Sequence, residues 1–249
     1  MSLLRKLFPL ALALLLLGGA IKGGGALHDS SPDIQGDLKP TEEQLEAAEE
    51  IADKLKYHYR QLDFDDQLSE QVLQRYLKDL DPNRLYFLAS DIKDFQRYSE
   101  ILDDQLRKGQ LEGGYTIFNR YQQRLTDRLE VITANLPAMI TAMDFTINES
   151  LELDRSDKAW PKNSAELDEV WRKRIKSRVI SLRLSDKQES EIAPLIQKRF
   201  KNQLSRVQQS NAEDAFQIYI NALTELYDPH TSYLSPRTSE NFNINMSLS

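Results

Sequence analysis

At 249 residues, with 40% hydrophobic and 29% charged content, the chain is long enough for one or two folded domains and ordinary in composition for a globular protein. Its formal net charge is −7, and it has no cysteine, which excludes disulfides, thiolate metal sites and lipid attachment through cysteine. An acidic balance argues against general nucleic-acid binding, which rests on neutralising phosphates.

The first element is not part of the fold. Arg5 and Lys6 precede an apolar run, Leu7 to Leu17, and then small residues, the order of a secretory signal peptide. The run is shorter than the roughly 20 apolar residues that span a membrane. Residues 1–26 are therefore predicted to be a signal peptide, cut after Ala20 or after Ala26. Neither site is a clean Ala-x-Ala, so an uncleaved N-terminal anchor stands as the alternative. Cleavage after Ala26 removes Arg5, Lys6 and Lys22 and no acid, which takes the formal charge from −7 to −10. Export without disulfides predicts a Gram-negative periplasmic location, with no integral membrane span once the leader is gone.

Residues 27–40 read as a flexible linker with too little apolar content to fold alone. Helical periodicity then begins. Thr41 to Gln44 has capping-box form, and Leu45, Ala48, Ile51, Ala52 and Leu55 share a face, which predicts a first helix to about Arg60. Leu68, Val72, Tyr76, Leu77 and Leu80 predict a second, ended by the turn Asp81-Pro82-Asn83. Ser90 can cap a third that runs through Ile92, Phe95, Leu102 and Leu106 to a stop at Gly109. Phe118, Tyr121, Leu125, Leu129 and Ile132 mark a fourth, to Pro137 or slightly beyond.

After an irregular stretch from Ala142 to Pro161, Asn163 caps a fifth helix with Leu167, Val170, Trp171, Ile175, Val179 and Leu182 inward. Ser185 opens a sixth, in which Pro194 must kink the helix or sit in a restarted first turn. Asn211 caps a seventh, stopped at Asp228-Pro229. The prediction is an all-α, irregular array of about seven helices, with no repeat period that would make a solenoid.

Several constellations invite a chemical interpretation. Asp228, His230 and Ser232 hold the residue types of a catalytic triad, but in extended chain alternate residues lie roughly 6–7 Å apart, and a triad needs successive hydrogen bonds of about 2.6–3.2 Å. A compact turn can join two of them; a helix end with Thr231 or Ser232 bonding local backbone is the structural alternative. His28, His58 and His230 are scattered, which predicts no metal site. Asp63, Asp65, Asp66, Asp103 and Asp104 read as helix-start and surface acids, and the glycines 23–25 as processing-site residues. Arg172-Lys173-Arg174 reads as a solvated helix face. Tyr57, Tyr59, Phe64, Tyr76, Tyr86, Phe87, Phe95 and Trp171 fall at or near helical apolar positions, where core packing is expected. No catalytic, cofactor or metal residue is assigned.

At the C-terminus Phe242, Ile244, Met246 and Leu248 alternate with polar residues, the period of a half-buried strand. Everything upstream reads as helix, so this strand start at 235–249 lacks a partner.

The segment Asp228, Pro229, His230, Thr231, Ser232, Tyr233, Leu234, Ser235, Pro236 and onward to Ser249 resembles the junction of the bacterial tail-specific, or C-terminal processing, serine proteases. Two further segments resemble that family in the same order: Asp81 to Ile92, and Leu153 to Arg174 with Trp160, Pro161, Leu167 and Trp171. The resemblance implies that 41–234 is an N-terminal helical domain and that 235–249 leads towards a PDZ domain absent here. Family members use a serine nucleophile with a lysine base on a core that follows the PDZ domain, and nothing up to Ser249 matches those segments. The implied role is non-catalytic: to position the PDZ domain and to dock protein substrates or a helical-repeat lipoprotein adaptor. A stand-alone exported interaction module, adaptor or inhibitor, is the competing expectation.

Overall fold

The computed structural model of the protein describes residues 36–236, 238–240 and 244. The predicted signal peptide and most of the predicted linker lie outside them. Leu38, within the predicted linker, is tied down: Asn119 Oδ1 accepts from its N–H and Asn119 Nδ2 donates to its carbonyl, both at 2.9 Å.

The architecture is all-α, as expected. Helix α1 (Glu42–Leu55) starts at the predicted capping box, with Thr41 Oγ1 accepting from Gln44 N–H and Gln44 Oε1 accepting from Thr41 N–H. It stops at Leu55, short of Arg60, because the buried face ends there: Tyr57 and Tyr59 are 88% and 80% exposed. That overturns the expectation of core packing for these two tyrosines.

Helix α2 (Asp66–Leu80) is capped by Asp65, whose carboxylate accepts from Leu68 N–H at 2.9 Å. The predicted third helix is broken into α3 (Ala89–Phe95), a 3-10 turn (Gln96–Tyr98) and α4 (Leu102–Arg107). Its start lies one residue before Ser90, because Asp91 reaches back to accept from Leu88 N–H at 2.9 Å. Gly109 ends α4 at φ 63°, where a Cβ would stand 2.6 Å from the Leu45 carbonyl oxygen, so the predicted stop is also a close helix contact.

Helix α5 (Glu112–Thr141) is longer than expected, and its 30 residues extend about 45 Å. It begins ahead of Phe118 because Gly113 and Gly114 are helical. Gly114 lets the Tyr219 ring approach so closely that a Cβ would be 2.3 Å from it. Helix α6 (Ser164–Arg183) starts at the predicted Asn163 cap, which accepts from Glu166 N–H at 3.0 Å. Helix α7 (Glu189–Gln208) starts later than Ser185 and keeps Pro194 in its interior. Helix α8 (Ala212–Tyr227) has the predicted Asn211 cap and ends at Asp228.

Two hydrophobic clusters hold these helices. The first joins α1, α2, α4 and the start of α5 to α8, whose Phe216, Tyr219, Ile220 and Leu223 are fully buried. Each such side chain contributes roughly 1.5–3 kcal/mol by leaving water. The second joins Leu125, Leu129, Ile132 and Leu136 of α5 to Trp171, Ile175 and Val179 of α6 and to Ile192 and Ile196 of α7. Tyr121 packs against both clusters, so α5 is the shared wall.

The strand expected from Phe242 to Leu248 falls mostly outside the described residues. Ile244, which is described, is helical, as are Pro236 and residues 238–240. Ser235 explains the change. It is buried, its carbonyl accepts from Ser239 N–H at 2.8 Å, and its hydroxyl meets Thr238 Oγ1 at 2.8 Å. Ser-Pro is an N-cap followed by proline at the first helical position, a helix start and not an extended lead-in.

Candidate functional site

Two groups of motif residues come together in the fold, and each is built around a carboxylate. The first is a hub at the end of α2. Asp81 is 1% exposed, and its carboxylate accepts from the backbone N–H groups of Leu85, Tyr86 and Phe87 at 2.7, 2.9 and 3.0 Å. Burial pushes its pKa up, against the opposing pull of the three N–H donors and of Arg84. The turn between is tight enough to hold Arg84 at φ 53°.

This bend delivers 85–88 to α6 and to the 142–163 loop. Trp171 Nε1 donates to the Leu85 carbonyl at 2.9 Å, and Ala89 N–H donates to the Pro161 carbonyl at 2.8 Å. Trp160 meets Phe87 edge to face, with the Arg84 guanidinium 5.1 Å above its ring. Leu167 is buried in the second cluster. Asp91 then anchors the bend to α5, accepting from Arg120 at 2.6 Å and from Arg124 at 2.9 Å. Burial favours its neutral form, but the Arg124 pair, Leu88 N–H and Arg120 outweigh that and hold the pKa below the usual carboxylate value. The segments 81–92 and 160–171, far apart in sequence, therefore form one structural unit.

The second group is a clasp at the end of α8. Asp228 accepts from the phenol of Tyr59, and its Oδ1 accepts from His230 N–H at 2.7 Å. The Tyr59 bond, followed by the His230 N–H, holds Asp228 down at about 2. His230 Nδ1 lies 3.0 Å from Asp228, while His58 Nε2 lies 3.4 Å from Thr231 Oγ1. Farther along, Asn221 accepts from Tyr233 N–H at 2.7 Å and donates to the Tyr233 carbonyl at 3.3 Å. The Tyr233 hydroxyl donates to Glu213 at 2.9 Å, and its ring meets Phe216 edge on.

This geometry is mechanical. The compact turn brings Asp228 and His230 together, but the His230 side chain is 93% exposed and Ser232 makes no hydrogen bond with it. Thr231 N–H bonds the Asp228 carbonyl, and Ser235, not Ser232, supplies the local hydroxyl cap. Pro229, Leu234 and Pro236 are exposed along the exit. Among the described residues, no group of three or more His, Cys, Asp or Glu is placed to hold a metal. Asp65 and Asp103 act within the fold, Asp103 as the buried acceptor of the Ser69 hydroxyl at 2.7 Å.

Sequence reasoning missed Tyr59, His58, Asn221 and Glu213 as parts of the clasp. The available signal was that Tyr57, His58 and Tyr59 continue no apolar stripe beyond Leu55.

The model of the tail-specific protease N-terminal domain family matches residues 51–237. This chain belongs to that family. The matched residues take in the hub, the clasp and the helices between them. The chain is also 37% identical over 226 residues to the tail-specific protease of Haemophilus influenzae, an alignment that covers 87% of this chain and 32% of that protein. It thus spans about a third of the length of the tail-specific protease that it matches. No described helix of this family member is long and apolar enough to cross a membrane.

Proposed function

We propose that the chain is the non-catalytic helical domain of a tail-specific serine endopeptidase, and that it sets the position of whatever follows residue 236. The observation that carries this is the clasp. A connection left to swivel would need no paired amide at Tyr233 and no cross-link from Asp228 to Tyr59, yet the exit is fixed at both points. In this reading 1–26 is a signal peptide, 27–40 a linker to the helical domain at 41–234, and 235–249 the junction to a PDZ domain. The serine and lysine of the reaction belong to a later segment of the parent.

The parent's work would be proteolysis of envelope proteins in the periplasm, selected by their C-terminal tails. The helical domain would offer a docking surface to substrates or to a helical-repeat lipoprotein adaptor. The test is an immunoblot of fractionated cells with an antibody raised against residues 27–249. A periplasmic species far larger than 28.8 kDa supports the reading. A species at or slightly below that mass overturns it in favour of a stand-alone interaction module.

A further inference from the structure

A groove of about 710 Å³ opens where α6 and α7 diverge, against Leu85 and Tyr86. Its floor is apolar, from Trp171, Ile175, Ile196 and Phe200. Arg178, Lys187 and Arg199 line it with exposed side chains, and no Asp or Glu does. None of these three cations is in an ion pair among the described residues. A basic rim around an apolar floor is complementary to an occupant that is both acidic and apolar. The chain carries such a segment beside the groove. Leu151, Glu152, Leu153 and Asp154 alternate aliphatic with acidic side chains, and both leucines line the groove. In extended backbone alternate side chains point to opposite faces, so the leucines can turn to the floor while the acids meet the rim.

The segment is slung between two fixed points and is not packed down. Before it, Glu149 is held by Arg172 and Lys176 of α6. After it, Arg155 N–H donates to Asn83 Oδ1 at 3.3 Å. Between these anchors the backbone of Ser150, Leu151, Glu152 and Leu153 makes no hydrogen bond among the described residues. Leu153 is 71% exposed, and so, at 42%, is Leu195 of α7. Glu152 pairs with Lys158 of its own loop at 2.9 Å, both side chains being about half exposed. Exposed pairs of this kind contribute little, so exchanging Lys158 for a groove cation costs little. A stretch without backbone bonds or buried contacts lies at the low-stability end of a fold, where local motion is drawn from.

We propose that residues 150–154 are a lid that closes over this groove, laying Leu153 on Leu195 and Phe200 and bringing Glu152 and Asp154 to Arg178, Lys187 and Arg199. In the open position two aliphatic side chains stand in water and three cations lack partners. Closure removes the leucines from water and gives the cations counter-charges in one movement. The anchors at Glu149 and Arg155 serve as hinges, so α6 and α7 stay in place. The lid thereby decides whether a basic, apolar surface is presented or covered. It needs no partner chain and no downstream segment, so it stands apart from the reading above.

The chain has no cysteine, so Leu153→Cys and Leu195→Cys together introduce a pair that can bond within one molecule only to each other. A disulfide requires Cα atoms roughly 4.4–6.8 Å apart, which closure supplies. Mild oxidation of the full chain at low ionic strength should give the intramolecular disulfide. The rate should fall at least about threefold in about 1 M NaCl, where the screening length is about 3 Å. Glu152→Gln combined with Asp154→Asn should slow it comparably at low salt. Tm should be unchanged in every variant before oxidation, because all four replaced side chains are exposed. Where the bond does not form, spin labels on the same two cysteines decide: two distances are expected, the shorter one depleted by salt. A single distance, or a disulfide rate indifferent to salt and to the two acids, overturns the lid.

Discussion

Gln197 of α7 donates from Nε2 to the Thr133 carbonyl of α5 at 2.7 Å, and that carbonyl is the one Pro137 leaves without a helical donor four residues on. A proline inside a helix removes one N–H, and a buried carbonyl then needs another partner. Here the partner comes from the neighbouring helix, so the irregularity of α5 becomes the point where α7 is keyed to it.

Replacing Gln197 with Ala should destabilise the chain by about 1–2 kcal/mol in urea unfolding, since the Thr133 carbonyl then loses its donor. In a Pro137→Ala background the helix supplies its own N–H, and the same replacement should cost less than half as much. Equal costs in the two backgrounds would show that Gln197 acts through packing alone.

Asp81 is the one acceptor for three consecutive amides, so Asp81→Ala should cost about 3 kcal/mol or more. The readout is denaturant unfolding, with Trp171 fluorescence reporting the release of the Leu85 carbonyl. A loss below 1 kcal/mol would mean that water replaces the carboxylate.

Gly114→Ala places a methyl group 2.3 Å from the ring of Tyr219, which is fully buried. Neither side can yield without moving α5 from α8, and overpacking of this kind costs about 1–3 kcal/mol. Adding Tyr219→Leu should recover part of the lost stability, because the second change removes the ring that the first one meets.

Glu149 ties the 142–163 loop to α6 through Arg172 and Lys176, and those bonds hold its carboxyl at about 2 against an ordinary value of 4.5. Because the folded value is the lower one, the bridge contributes fully above about pH 4.5 and is lost as pH falls towards 2. Carbon-13 titration of the Glu149 carboxyl should show a midpoint near 2. A midpoint at the ordinary value would mean that the loop is not held. Glu149→Gln should leave the loop protease-sensitive at every pH.

Asn221→Ala should speed amide exchange at Tyr233 at least tenfold while changing global stability little, since the lost bonds sit at the exit and not in the core. Unchanged exchange would remove Asn221 from the clasp.

The helix starts at Thr41, Asn163 and Asn211 were legible because a cap is a local event, decided by residues within one turn. The early start of α3 was not, because it rests on Asp91, which Arg120 and Arg124 hold from another helix. Gly113 and Gly114 look like breakers in sequence, but they are required by side chains that arrive from elsewhere, Leu102 and Gln105 at the first and the Tyr219 ring at the second. At the clasp, the motif around Asp228 was visible and its partner was not, since Tyr59 lies 169 residues away. The alternation from Phe242 suggested a strand; of those residues only Ile244 is described, and it is helical, while the Ser235-Pro236 cap marks a helix start at 236.

The clasp also has a temporal meaning. Gln44 near the start of α1 donates to Glu213 at the start of α8, and Tyr59 reaches Asp228, so the first cluster is closed by the earliest and latest parts of the domain. Contacts this distant in sequence form late, after the intervening chain has been ordered. A polypeptide delivered from its N-terminus would therefore hold an open, unsealed core until residues near 235 had arrived. The last event in building the domain is then also the one that fixes where the chain leaves it.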